Sequence, residues 1–190
     1  MDYLVYQISE MPPAERFAGV LSHDELELSR SRGGDYARIR GVLRQELARR
    51  SHCAAHEIVF TYGAHGKPEC TRQHFNISHS GDCLCLAFHH ADIGVDVERI
   101  KPRDFNTLAA RFMVPEQLEL FRQRGCRSEE FYACWCAAEA LVKCAGDTMW
   151  HAHAYPFTYQ HGRIHCLFEQ APAVCLFTPM PGYQGAVAWT

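Results

Sequence analysis

The sequence predicts a mixed α/β (α+β) fold, and three observations carry that expectation. Short apolar runs of strand period alternate along the chain with longer segments of helical period. Helix-start signals and Gly or Pro breaks punctuate them. The 190 residues are 47% hydrophobic, enough for one globular domain or two small packed halves.

Taken in order, Tyr3 to Ile8 reads as a strand, and Ser22-His-Asp-Glu25 has the capping-box spacing that opens a helix. Gly33-Gly34 breaks the chain. A second helix runs from Asp35 to about Arg50, with Tyr36, Ile39, Leu43 and Leu47 on its apolar side and Arg40 and Arg44 one turn apart. Ile58 to Tyr62 reads as a short strand, and Gly63 to Pro68 as a loop able to bring backbone amides and the Lys67 ammonium close to a ligand. Further strands are expected at Phe75 to Ile77, Cys83 to Phe88 and Ile93 to Glu98, with Ser78-His79-Ser80 as a polar turn between the first two. Helices follow over Asp104 to Met113, Pro115 to about Arg122 and Ser128 to Cys144, the last capped by Ser128 and ended by Gly146. From Ala154 onward the pattern is strands, with turns at His161-Gly162 and Pro181-Gly182.

The most informative stretch is Phe75 to Glu98. In Val95-Asp96-Val97-Glu98 the two carboxylates at i and i+2 project from one face while the valines pack behind them, which supplies half of a hard-cation site. Trp135, Glu139 and Lys143 recur at four-residue intervals and share one helix face.

Composition narrows the function classes. Seven arginines lie between Leu28 and Arg50 against Asp35 and Glu46, whereas lysine occurs only at positions 67, 101 and 143, so cationic contacts fall mainly to arginine, which suits bidentate phosphate binding. The net charge of −3 and the lack of a groove-reading or base-stacking motif argue against nucleic acid. Apolar runs are too short to span a bilayer, and the start at Met1-Asp2 shows no basic n-region followed by an apolar h-region, so a cytoplasmic protein without membrane attachment is expected. The ten cysteines contain no C-x-x-C, and Cys83/Cys85 and Cys134/Cys136 read as small buried hydrophobes.

Four motifs then carry a resemblance: Gly66-Lys67-Pro68, Phe75-Asn-Ile-Ser-His-Ser80, Gly94-Val-Asp96-Val-Glu98 and Trp135-Cys-Ala-Ala-Glu139-Ala-Leu-Val-Lys143. In order and spacing the chain resembles the 4′-phosphopantetheinyl transferase superfamily, most closely its Sfp type (holo-acyl-carrier-protein synthase). The resemblance implies two pseudo-twofold-related α/β halves, residues 1–92 on the nucleotide side and 93–190 with the metal site and catalytic helix, enclosing a cleft. It implies transfer of the phosphopantetheine arm of coenzyme A to a serine of an acyl or peptidyl carrier protein, with release of 3′,5′-ADP, by a monomer that uses Mg2+. Residue by residue, it implies Asp96, Glu98 and Glu139 as metal ligands and Glu139 and Lys143 as catalytic groups. It also implies Arg38, Lys67, Pro68, Ser78, His79 and Lys143 as coenzyme A contacts. One position departs from the family pattern W-x-x-K-E, because Ala138 stands where that pattern has lysine. A lysine at 138 is expected to restore a cation beside the phosphates without disturbing the helix. The alternative reading is a catalytically weakened member that binds coenzyme A or a carrier protein as an interaction module.

Overall fold

A computed structural model describes residues 1–190. The strands are β1 (Asp2–Gln7), β2 (Thr61–Tyr62), β3 (Pro68–Glu69), β4 (His74–Ser80), β5 (Cys83–His89), β6 (Ile93–Arg99), β7 (Phe157–Gln160), β8 (Arg163–Cys166), β9 (Ala173–Phe177) and β10 (Tyr183–Trp189). The helices are α1 (His23–Arg32), α2 (Gly34–Ser51), α3 (Phe105–Ala109), α4 (Pro115–Gln123) and α5 (Ser128–Cys144). The fold is α+β. One antiparallel sheet has the order β1-β5-β4 and a second the order β6-β10-β9, with the small hairpins β2-β3 and β7-β8 beside them.

Alternation along β5 distributes the core. Leu84, Leu86 and Phe88 face a cluster completed by Leu43 and Leu47 of α2 and by Phe17, whereas Cys83, Cys85 and Ala87 face a second cluster with Ile93, Val95, Val97, Tyr183 and Val187. That second cluster joins the two sheets. The other face of the β6-β10-β9 sheet packs on α5 in a third cluster that includes Phe121, Phe131, Leu141, Ala186 and Ala188. Contact there is close: a Cβ on Gly94 would lie 2.0 Å from the Ala140 carbonyl oxygen and 2.4 Å from the Cys144 nitrogen, so β6 meets α5 backbone to backbone only with glycine at 94.

The capping box forms as expected, the Glu25 N–H donating to Ser22 Oγ and the Ser22 N–H to Glu25 Oε2. Glu25 also does something the pattern does not announce. Its carboxylate is buried and accepts from Arg40 Nε at 2.7 Å and Arg44 Nε at 2.6 Å, while Arg44 Nη1 donates to the Ala55 and Ile58 carbonyls. Two of the seven clustered arginines are thus internal ties that hold α1 against α2 and anchor the segment leading to β2.

Several expected elements are revised. Ser78-His79-Ser80 is the last turn of strand rather than a loop, because each residue pairs with β5 (Ser78 with Cys85, His79 with Leu84, Ser80 with Cys83), and the reversal is Gly81-Asp82, where Gly81 has φ +55°. The strand expected over Ile58 to Tyr62 shrinks to Thr61–Tyr62, since Ile58 follows a 3-10 turn and is pinned through its carbonyl by Arg44. The helix expected over Asp104 to Met113 is only Phe105–Ala109, capped by Asp104. Ser128 is the first helical residue of α5, not its cap; Arg127 takes the cap position without a side-chain bond.

Burial raises the Glu25 carboxyl pKa, but the Ser22 N–H and the two guanidiniums outweigh it and hold the group below its ordinary range. Glu25→Gln should therefore lower the unfolding free energy by about 3 kcal/mol at neutral pH, because two buried guanidiniums lose their counter-charge. A carboxyl with a depressed folded pKa contributes stability above its unfolded pKa and loses it as pH falls through the folded value, so the gap between parent and variant should narrow in acid. Urea unfolding at neutral and acid pH measures both. A gap below about 1 kcal/mol, the worth of a surface pair, would reduce the triad to a solvated contact.

Candidate functional site

Strand β6 and helix α5 supply the titratable groups of the site. Because Val95 and Val97 are committed to the core between the sheets, Asp96 and Glu98 face the other way, toward α5. On α5, Glu139 and Lys143 lie one turn apart on the side that meets them. Lys143 Nζ donates to Asp96 Oδ1 at 2.7 Å and lies 3.8 Å from Glu139 Oε2. Trp135, on the same helix face one turn earlier, is enclosed by Phe112 and Phe131 and fixes that end of the helix in the aromatic core.

Three polar side chains of β4 hold β6 in place. Asn76 Oδ1 accepts the Val95 N–H at 2.9 Å, Ser78 Oγ the Val97 N–H at 3.3 Å and Ser80 Oγ the Arg99 N–H at 3.2 Å. The two serines donate in turn to the carboxylates, Ser78 Oγ to Asp96 Oδ1 at 2.8 Å and Ser80 Oγ to Glu98 Oε2 at 2.8 Å. Neither Asn76 nor Ser80 stands out as a site residue in the sequence; the signal that finds them is their period of two with Ser78.

The electrostatics follow from crowding three carboxylates around one ammonium. Burial raises the Glu139 pKa, Lys143 lowers it, and Asp96 and Glu98 raise it further, with a net upward shift. For Lys143, burial works against the charge, but Asp96 and Glu139 outweigh it and hold the ammonium protonated beyond its usual range. Burial first, and then Asp96, push the Cys136 thiol well above its ordinary value, so Cys136 is an apolar neighbour of the cluster and no nucleophile.

The residues fit a hard divalent cation of the kind the family resemblance implies. Asp96 Oδ2 is buried without a hydrogen-bond partner, a state that costs free energy unless something meets it, and all the available donors are carboxylate oxygens. The carboxylates alone do not close into a ready-made cage of three ligands. The Lys143 ammonium stands among them as the cluster's own cation.

Beside the cluster lies a cavity of about 250 Å³ whose walls include Gly66, Lys67, Pro68, Glu139 and Lys143. Lys67 reaches across it from the N-terminal sheet's side, donating to the Ile93 carbonyl at 3.1 Å and the Lys143 carbonyl at 2.7 Å, which leaves one of its three N–H donors free. Burial lowers its pKa. Ile77 lines this cavity and also a larger cleft of about 660 Å³ bordered by Arg32, Arg40 and His79, so the two run along β4 as neighbours. His79 is exposed there. Arg38, on α2, pairs with Asp35 at 3.4 Å and lines neither space. Ser78 is buried and committed to Asp96 and the Val97 amide. Ala138 is 3% exposed and packs into the α5 core, so a lysine there would have to carry its ammonium out past buried neighbours to reach the phosphates.

At the cavity wall Asp147 accepts from His151 Nδ1 at 2.7 Å, Tyr155 Oη at 2.9 Å and the Thr148 N–H at 2.7 Å, with His65 Nε2 at 4.0 Å. The His151 contact, then the Thr148 N–H, drop its pKa to about 2.

Comparison with known proteins bears on the family. A family model for the 4′-phosphopantetheinyl transferase superfamily matches residues 92–176. The 4′-phosphopantetheinyl transferase AcpT of Escherichia coli (strain K12) is 33% identical over 139 residues, 67% of this chain and 71% of AcpT. HetI of Nostoc is 32% identical over 118 residues, 57% of this chain and 50% of HetI, and Sfp of Bacillus subtilis 28% over 159 residues, 77% of this chain and 69% of Sfp. The chain thus belongs to the 4′-phosphopantetheinyl transferase superfamily. The matched region spans about half the length of several curated relatives, 40% of psf-1 of Bacillus pumilus and 50% of HetI.

Two measurements check the site as described. Ala138→Lys should destabilise the fold by about 1–3 kcal/mol in urea unfolding, the usual cost of overpacking a filled position, whereas unchanged stability would mean the side chain escapes the core. In a ¹³C carboxyl titration, His151→Ala should bring the Asp147 pKa up from about 2 toward the ordinary carboxylate range. An unmoved Asp147 would assign the depression to its other donors.

Proposed function

We propose that the protein transfers the 4′-phosphopantetheine arm of coenzyme A to a serine hydroxyl of an acyl or peptidyl carrier protein, with Mg2+ as cofactor and 3′,5′-ADP as the second product. The observation that carries this reading is the convergence of Asp96, Glu98, Glu139 and Lys143 beside a cavity walled by Lys67 and Pro68. Such a combination of hard oxygen donors and cations suits a pyrophosphate substrate.

In this reading the nucleotide of coenzyme A runs along β4, with His79 toward the 3′-phosphate and Lys67, Pro68 and the Ser78 strand segment on the adenine and phosphate side; Arg38, which the family resemblance implies for the same phosphate, would have to leave Asp35 to reach it. Lys143 remains charged and bears on the pyrophosphate. Asp96, Glu98 and Glu139 would hold Mg2+, which when bound neutralises charge on the phosphates and the leaving group. The serine oxygen attacks the β-phosphorus, the bond from that phosphorus to the bridging oxygen breaks, and 3′,5′-ADP departs with the electron pair. Glu139 is the group proposed to accept the serine proton.

Both sheets of one chain contribute to the site, so the active form is proposed to be a monomer, and the reaction is placed in the cytoplasm. No helix is long and apolar enough to cross a membrane.

Incubation with coenzyme A, Mg2+ and a panel of apo-carrier proteins, read by intact mass, should show addition of one phosphopantetheinyl group to at least one carrier. Glu139→Gln should keep the fold and lower the single-turnover rate by about 10² or more, the typical worth of a positioned proton acceptor. No labelling by the parent with any carrier would overturn the transferase reading; an undiminished rate in the variant would remove Glu139 from the chemistry.

A further inference from the structure

We propose that Ser80 is a positioning residue that holds the Glu98 carboxylate in its cation-binding orientation; the inference rests on the metal site proposed above. Ser80 Oγ accepts the Arg99 N–H at 3.2 Å and donates to Glu98 Oε2 at 2.8 Å. A hydroxyl has one proton, and with the backbone N–H engaging a lone pair, that proton is directed at the carboxylate. Two residues earlier Ser78 repeats the arrangement, accepting the Val97 N–H and donating to Asp96 Oδ1. Each serine therefore grips one carboxylate and the amide that follows it in β6.

The two carboxylates differ in what else holds them. Asp96 is 4% exposed and has the Lys143 ammonium as a second partner. Glu98 is half-buried, takes part in no salt bridge and has Ser80 as its one side-chain partner. A glutamate has one more rotatable bond than an aspartate, so without that hydroxyl its head group would be free to swing into solvent. The far end of β4 is itself pinned, because Asp82 accepts from the Ser9 N–H and Oγ and its own N–H donates to Tyr183 Oη. Ser80 is thus a fixed point from which to aim a mobile carboxylate.

The test is binding of Mn2+ to the protein in the presence of coenzyme A, followed by EPR of the free ion and independent of turnover. Ser80→Ala should weaken Mn2+ binding about tenfold, in line with the loss of an outer-shell partner of a metal ligand. Ser80→Thr, which keeps the hydroxyl, should restore binding to within about twofold. In a Glu98→Gln background the Ser80→Ala change should add little, because its effect passes through Glu98. Parent-like Mn2+ binding by Ser80→Ala, or an equal loss in the Glu98→Gln background, would overturn the inference while leaving the metal site standing. A parent protein that takes up no Mn2+ would overturn the metal site and this inference together.

Discussion

The seam between β4 and β6 is the joint on which the rest of the structure depends. Two sheets meet there without a main-chain ladder. Instead Asn76, Ser78 and Ser80, one face of β4, accept the N–H groups of Val95, Val97 and Arg99 at a constant offset of nineteen residues. Main-chain pairing is indifferent to side-chain identity, but this seam is written in the sequence residue by residue. A slip of one residue would present Ile77 and His79 to the β6 edge, leave buried amides unpaired and turn both carboxylates away from α5. The hydroxyls that join the two sheets are also the ones that grip Asp96 and Glu98, so the seam and the placing of both carboxylates share the same side chains.

Burial decides which cations remain available for a ligand. Arg40 and Arg44 are consumed by Glu25 and by backbone carbonyls, Lys67 is largely tied to the Ile93 and Lys143 carbonyls, and Lys143 is surrounded by acids. The cationic segment between Leu28 and Arg50 is therefore partly scaffold. Its role in fixing α1 against α2 sets the far wall of the cleft that His79 and Arg32 border.

Strand and helix positions were legible where periodicity was strong. The alternation of β5 and β6, the helical repeat of α2 and α5 and the capping box at Ser22 all read directly from residue spacing. The errors share a cause: local chemistry was outvoted by pairing. Ser78-His79-Ser80 looks like a turn because it is polar, yet β5 supplies it with partners and β6 uses its hydroxyls. The Glu25 triad was hidden because its members are distant in sequence and individually resemble surface charges. At the site, the grouping of Asp96, Glu98, Glu139 and Lys143 could be anticipated from spacing and resemblance, but the hands that hold the carboxylates, Ser78 and Ser80, appear only once β4 and β6 are laid side by side. Ala138 illustrates the converse, a position whose departure from a pattern is visible in sequence while its burial in the α5 core is not.

The charge balance of the cluster links its parts. Three carboxylates against one ammonium leave two negative charges in a partly buried space, and the upward shift of the Glu139 pKa comes first from burial, with Asp96 and Glu98 adding to it against the pull of Lys143. Lys143 cannot cure it alone, since Asp96 already claims its closest contact. In the proposed reaction the substrate brings a pyrophosphate, which adds negative charge to a site already short of positive charge. In the same proposal a divalent cation would relieve both the carboxylates and the phosphates, and cation and nucleotide would each raise the affinity for the other, as reciprocal linkage requires. In that proposed arrangement the buried Asp96 Oδ2, which has no hydrogen-bond partner while Oδ1 holds Lys143, is the oxygen left for the cation to meet.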